Sequence, residues 1–182
     1  YAGLNIGPVI GWNSDFNGNN SQSTTGFSIG SEIINSLTCT SCNNLMLESG
    51  IGYEYLGQYT FKPVQVKGSK LTGIYKESLY ILHGNFGVRY KFTKGHKLTP
   101  FASFTPGIYY TKIKSASYKD VTGGNLDFGN ISRSSINFGF GLGIGLSYKL
   151  SHKISIELYP KWHLFFPQGV GNSFIQIPLT IK

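Results

Sequence analysis

Apolar and small or polar residues alternate along most of this chain with a period of two, the spacing of strands with two unlike faces. The clearest run is residues 135–150. There Ile136, Phe138, Phe140, Leu142, Ile144, Leu146, Tyr148 and Leu150 alternate with Ser135, Asn137, Gly139, Gly141, Gly143, Gly145, Ser147 and Lys149. Residues 154–166 repeat the pattern, with Ile154, Ile156, Leu158, Pro160, Trp162, Leu164 and Phe166 against Ser155, Glu157, Tyr159, Lys161 and His163. A last segment sets Ile175, Ile177, Leu179 and Ile181 against Phe174, Gln176, Pro178 and Thr180. Upstream, Leu82, Phe86, Val88, Tyr90 and Phe92 oppose His83, Asn85, Gly87, Arg89 and Lys91, and Leu98, Ala102, Phe104, Ile108 and Tyr110 oppose Ser103, Thr105, Gly107 and Tyr109. Three less regular segments begin the chain: Leu4 to Trp12, Phe27 to Ile33 and Leu45 to Tyr55, with Glu32, Glu48 and Glu54 among the opposite set. The alternation thus predicts eight strands in a single domain over residues 1–182.

Parity alone does not say which face is inside. An eight-stranded barrel has an interior that side chains just fill, and the aromatic-rich parity is far bulkier than the glycine-rich one. The bulky set must therefore point outward, into lipid. In hydrocarbon every unpaired backbone N–H or C=O costs several kcal/mol, so the last strand must pair with the first. The expected fold is an all-β, eight-stranded antiparallel up-and-down transmembrane β-barrel. Connections alternate in length. The long ones are residues 13–24, 56–77, 111–134 and 167–172, the short ones 93–97 and 151–153, with 35–43 intermediate. Long extracellular loops and short periplasmic turns are typical of outer-membrane barrels, which places both termini in the periplasm. Trp12, Tyr53, Tyr55, Tyr90, Tyr110, Tyr148 and Trp162 fall near strand ends, where interfacial aromatic girdles are expected. Pro8, Pro100, Pro106, Pro160 and Pro178 lie within strands, and bulges or bends are expected there.

Composition agrees with this picture. Charged residues make up 13% of the chain, about half of what soluble domains carry, while aromatics reach 15%. No stretch approaches the roughly 18 unbroken apolar residues of a membrane-spanning helix. The first residues lack the features of a signal peptide, so export would have to rest on a leader already removed. The net charge of +8 would suggest nucleic acid in a soluble protein. In a membrane barrel it suggests lipid phosphates instead. Cys39 and Cys42 form CTSC, a candidate local disulfide. With no second pair a zinc site is not expected, and no cofactor is implied.

The segments GFSIGSEI, NLMLESGIGYEYLG, YILHGNFGVRYKF, LTPFASFTPGIYYTKI, FGFGLGIGLSYKLSHKISIELYPKW and SFIQIPLTIK together resemble the PorT-like outer-membrane β-barrels of Bacteroidota, over nearly the whole chain. The resemblance rests on an acidic third strand (Glu48, Glu54), a fourth ending in Arg-Tyr-Lys-Phe, a proline- and glycine-bearing fifth, and a glycine-alternating sixth leading by a short turn into the seventh. It implies subunits or accessory factors of secretion machinery, or barrels of unassigned role. The chain departs from such barrels at Ile181 and Lys182, where they usually finish on an aromatic residue. Either sequence is missing after Lys182 or the insertion signal is unconventional.

The inward parity gathers Glu32, Glu48, Glu54, Arg89, Lys91, Glu157, Lys161 and His163, with Lys149, in one narrow lumen. A structural ion-pair network that plugs the barrel is the main expectation, since buried charges need partners. A narrow ion path lined by the same groups is the alternative. Catalysis would draw on His83, His163 and Glu157, but no Ser-His-Asp arrangement is visible near a rim, and a non-catalytic protein is expected. Lys62, Lys67, Lys70 and Lys76, and Lys112, Lys114, Lys119 and Arg133, cluster in the long loops and suit the phosphates of outer-membrane lipid, including lipopolysaccharide. Lys91, Lys94, Lys97, Lys149 and Lys153 surround the short turns and suit an acidic outer-membrane or periplasmic partner.

Overall fold

The computed structural model describes residues 1–14, 21–37, 44–65, 72–93, 96–120, 125–126, 132–152, 154–166 and 172–182. The alternating segments form β1 (Ala2–Ser14), β2 (Ser21–Ser36), β3 (Leu45–Gln65), β4 (Thr72–Lys91), β5 (Leu98–Asp120), β6 (Asn125–Leu126), β7 (Ser132–Lys149), β8 (Ser155–Leu158), β9 (Lys161–Phe165), β10 (Asn172–Gln176) and β11 (Leu179–Ile181). Strands β8 and β9 are two halves of one wall strand, as are β10 and β11, and among the described residues β6 pairs with β5 at the far end of β5. Sequential neighbours pair antiparallel. β1 also pairs with β11 through Leu4↔Ile181 and with β10 through Val9↔Gln176. The wall is therefore an eight-stranded, closed transmembrane barrel. Tyr1, Lys91, Leu98, Lys149 and Lys182 mark one end, here the terminus end; the other is the loop end.

The expected inside-out polarity is observed. Phe138 is 76% exposed and Ile136 71% exposed on the outer wall, whereas Arg89 and His163 inside are 0% exposed. Such an apolar exterior matches hydrocarbon rather than water.

The strands differ from the sequence expectation in two respects. First, β3 and β4 run on through most of residues 56–77, and β5 to Asp120, so much of what read as loop is paired hairpin. The reason is a bulge in β3: Tyr55 faces Tyr80 and Gln58 faces Ser78, so that Leu56 and Gly57 together face Leu79. Gly57 has φ = 79°, a left-handed backbone that glycine adopts without a Cβ clash. The extra residue reverses parity, turning Tyr59 inward where the simple alternation would have put it outside. Second, the prolines behave unequally. Pro8, Pro100 and Pro106 sit inside continuous strands, opposite Phe27, Leu146 and Phe140, while Pro160 and Pro178 fall in the interruptions between β8 and β9 and between β10 and β11. A proline lacks only the donor. The carbonyls of Pro8, Pro160 and Pro178 still accept from Ile177, Ile144 and Tyr159 at 3.0, 3.2 and 3.3 Å, so little of the ladder is lost.

Outside, Phe27, Tyr55 and Tyr80 form a chain of ring contacts at 5.8 and 5.1 Å toward the loop end, and Tyr90 meets Phe92 edge-on near the terminus end. Trp162 departs from the girdle expectation, lying opposite Leu142 in the middle of β7.

Leu142 separates a membrane barrel from a soluble one. In lipid, Leu142→Arg should lower the unfolding free energy by ~2–4 kcal/mol, the cost of arginine near the bilayer midplane. Urea titration in phospholipid vesicles measures it, and an unchanged midpoint would mean that this face does not contact hydrocarbon.

Candidate functional site

The lumen is organised about Arg89, carried inward by β4. Its Nε donates to Glu48 Oε2 at 2.9 Å, Nη1 to Glu157 Oε2 at 2.7 Å and Nη2 to Glu32 Oε2 at 3.1 Å. Every guanidinium nitrogen is thus bound to a carboxylate from a different strand: β3, β8 and β2. Lys161 of β9 bonds the other oxygen of Glu48 at 3.0 Å. Lys182 pairs with Glu32 at 2.8 Å and also with Glu157. Three carboxylates thus face three cations, so this layer is neutral as a unit.

Aromatic rings hold the guanidinium from its faces, with Arg89 Cζ 4.1 Å from the centre of Phe101 and 4.9 Å from that of Tyr159. Tyr159 donates to Glu48 Oε1 at 3.2 Å and contacts the Ser103 hydroxyl. The glycine parity of β7 makes room for these groups. A Cβ on Gly143 would lie 2.3 Å from a Tyr159 ring carbon, one on Gly145 2.5 Å from Phe101, and one on Gly141 2.7 Å from the Lys161 stem.

Toward the loop end lies a second polar layer. His83 Nδ1 accepts from Asn85 Nδ2 at 3.1 Å, which leaves Nε2 as the donor to Glu54 Oε1 at 2.9 Å. Tyr109 contacts His163 Nδ1 at 2.9 Å, and the His163 ring stacks on Phe174 with centroids 4.5 Å apart. Beyond it, Val9, Leu56, Tyr59, Leu79, Ile81, Tyr109, Phe165 and Phe174 pack into an apolar plug. Between the two polar layers, a small space bounded by Asn5, Glu32, Glu48, His83, Asn85 and Lys161 measures about 20 Å³, room for roughly one water.

The structure brings Glu32, Glu48, Arg89, Glu157 and Lys161 together in one cluster and sets Glu54 and His163 in the histidine layer. Lys91 joins neither layer. It lies at the mouth of the terminus end, half-buried and with no ion pair among the described residues. Sequence reasoning missed Lys182, although it continues the inward parity of Phe174, Gln176, Pro178 and Thr180 and so was within reach of the same rule. It also missed Phe101, a bulky residue on the small parity.

On the outer wall, Lys112 and Lys114 border a groove of about 310 Å³ with Tyr53, Tyr80, Leu82 and Tyr110. Lys114 Nζ stands 5.4 Å from the Tyr80 ring centre. Lys76 is described, whereas the side chain of Lys62 and all of Lys67, Lys70, Cys39 and Cys42 lie outside the described residues.

No family model matches this chain, and no curated protein matches it. Among solved structures it is similar to Neisserial surface protein A, with TM-score 0.61 and 11% identity over 99% of this chain and 93% of that one. It is also similar to Ail, the attachment invasion locus protein of Yersinia pestis, solved with the heparin analogue sucrose octasulfate, with TM-score 0.51 and 11% identity over 99% and 95% of the two chains. At this identity the likeness establishes the barrel fold.

Removing one member of a buried ion cluster strands the rest. Arg89→Met should cost ~3–5 kcal/mol of stability, and the further changes Glu48→Gln and Glu157→Gln should return part of it by removing the unpaired charges. Urea unfolding in vesicles measures both, and an Arg89→Met chain as stable as the parent would show that the cluster does not brace the wall.

Proposed function

We propose that this chain is a non-conducting, non-catalytic barrel of a bacterial outer membrane, serving as a structural or accessory subunit of a larger secretion, transport or assembly complex, in the manner of PorT-like barrels. The observation that carries the reading is the filled lumen. An ion cluster, a histidine layer and an apolar plug follow one another along the axis, and the space touching His83 is about 20 Å³. Such a filling supports a lumen closed to ions, with about one water's room beside His83. What remains for function is the outer wall, the two mouths and the projecting hairpins.

The hairpins support an orientation with both termini in the periplasm. A transmembrane strand needs about 9–11 residues, yet β3, β4 and β5 have 21, 20 and 23, and their excess lies at the loop end. Short turns on one side and tall hairpins on the other are the outer-membrane arrangement. In that orientation Lys112 and Lys114 stand above a tyrosine-floored groove at the outer leaflet. An acyl chain fits the groove, and the ammonium groups suit the phosphates of lipopolysaccharide.

Purification from native outer membranes in mild detergent should recover stoichiometric larger outer-membrane or periplasmic proteins, and the isolated chain should give no conductance in planar bilayers. A solitary barrel with reproducible, charge-selective conductance would replace this reading with a narrow channel. Separately, Lys112→Glu with Lys114→Glu should reduce the lipopolysaccharide that co-purifies, measured by mass spectrometry of bound lipid. Unchanged lipid would remove the groove as a lipid-phosphate site.

A further inference from the structure

At the terminus end the wall opens into a vestibule of about 320 Å³, within the roughly 300–1,000 Å³ of small-ligand sites. Lys91 of β4, Lys97 just before β5 and Lys149 of β7 border it. Their positions are fixed by the backbone: Lys149 N donates to Lys97 O at 2.8 Å and Lys91 N to Asn44 O at 2.9 Å. The carboxylate lining the vestibule, Glu157, is already engaged by Arg89 and Lys182. Since the ion cluster beneath is neutral in itself, the charge of these three lysines is left over, and none has an ion pair among the described residues. Thr93 Oγ1, on the same lining, is shielded from solvent yet has no hydrogen-bond partner among the described residues. Like charges gathered around a concavity focus a positive potential into it.

The chemistry narrows the ligand. No arginine lines the vestibule, so the planar fork that matches a carboxylate is missing. Lysines act instead as point charges of the kind that hold phosphate. Around them the hydroxyls of Thr93 and Ser147 supply further donors for a tetrahedral group with several acceptor oxygens. The geometry points to a phosphate-binding pocket here, which takes a phosphate-bearing anion between Lys91, Lys97 and Lys149. This pocket is independent of the lumen's conductance and of which membrane face it opens to. Its ligand is either a soluble phosphoester or the headgroup of an anionic phospholipid.

The test is isothermal titration of the full chain in maltoside detergent with pyrophosphate, at ionic strength held constant with sodium chloride. Saturable one-site binding is expected, weakened roughly tenfold or more in Lys91→Gln with Lys149→Gln, given the strength of hydrogen bonds to charged groups. Lys97→Gln alone lies in a turn and provides the same readout should the double variant fail to fold. Absence of saturable binding, equal affinity in the vestibule variants, or equally tight binding of the tricarboxylate tricarballylate would overturn the proposal. Repeating the titration in phosphatidylglycerol nanodiscs identifies the source: displaced pyrophosphate assigns the pocket to a lipid headgroup, and undiminished binding to a soluble phosphoester.

Discussion

The guanidinium of Arg89 spans the lumen and gives each of its nitrogens to a carboxylate on another strand. Closure makes such a filling necessary. Backbone pairing in hydrocarbon requires a wall without edges, and eight strands enclose a space too narrow for bulk water and too wide to leave empty. A charge placed there is costly unless it is paired and hydrogen-bonded. This cluster, with the two rings that flank it, involves six of the eight wall strands. Strand β7 takes part by what it lacks, since its glycines leave the volume that Tyr159, Phe101 and Lys161 occupy.

The interior is zoned along the axis. Uncompensated lysines stand at the terminus mouth, balanced ion pairs lie below them, a histidine layer follows, and apolar packing closes the loop end. The zones share residues, because Tyr109 belongs to the histidine layer and to the plug. The hydrophobic contribution therefore sits toward one end of the lumen and the electrostatic one toward the other, with the outer wall apolar throughout the membrane span.

Most of the fold was legible in the chain because a strand's period is two and a small barrel must put its smaller residues inside. The run from Ile136 to Leu150 conveys both facts. What was not legible follows from places where local rules change. At Gly57 one extra residue reverses the faces of β3, so alternation read past Tyr55 assigns Tyr59 to the wrong side and suggests a loop. Beyond the apolar belt, β4 and β5 keep their pairing without needing an apolar face, and hydropathy cannot see that. Within the candidate site, the glutamates, Arg89 and Lys161 were readable from parity. Which of them touch was not, since that depends on depth: Lys91 is two residues beyond Arg89 on the same face, and that step carries it from the cluster to the mouth.

The closing seam has a character of its own. The strand that completes the barrel meets β1 as two short ladders, residues 4–6 with β11 and residues 9–12 with β10, separated at Ile177 and Pro178. The strand before it is divided at Tyr159 and Pro160. Two adjoining staves are thus jointed at neighbouring heights, while β3, β4, β5 and β7 are long and continuous. The cylinder thus has unbroken staves on one side and two jointed ones on the other, and at the joints its continuity rests on the bonds from Ile177 to Pro8, Tyr159 to Pro178 and Ile144 to Pro160.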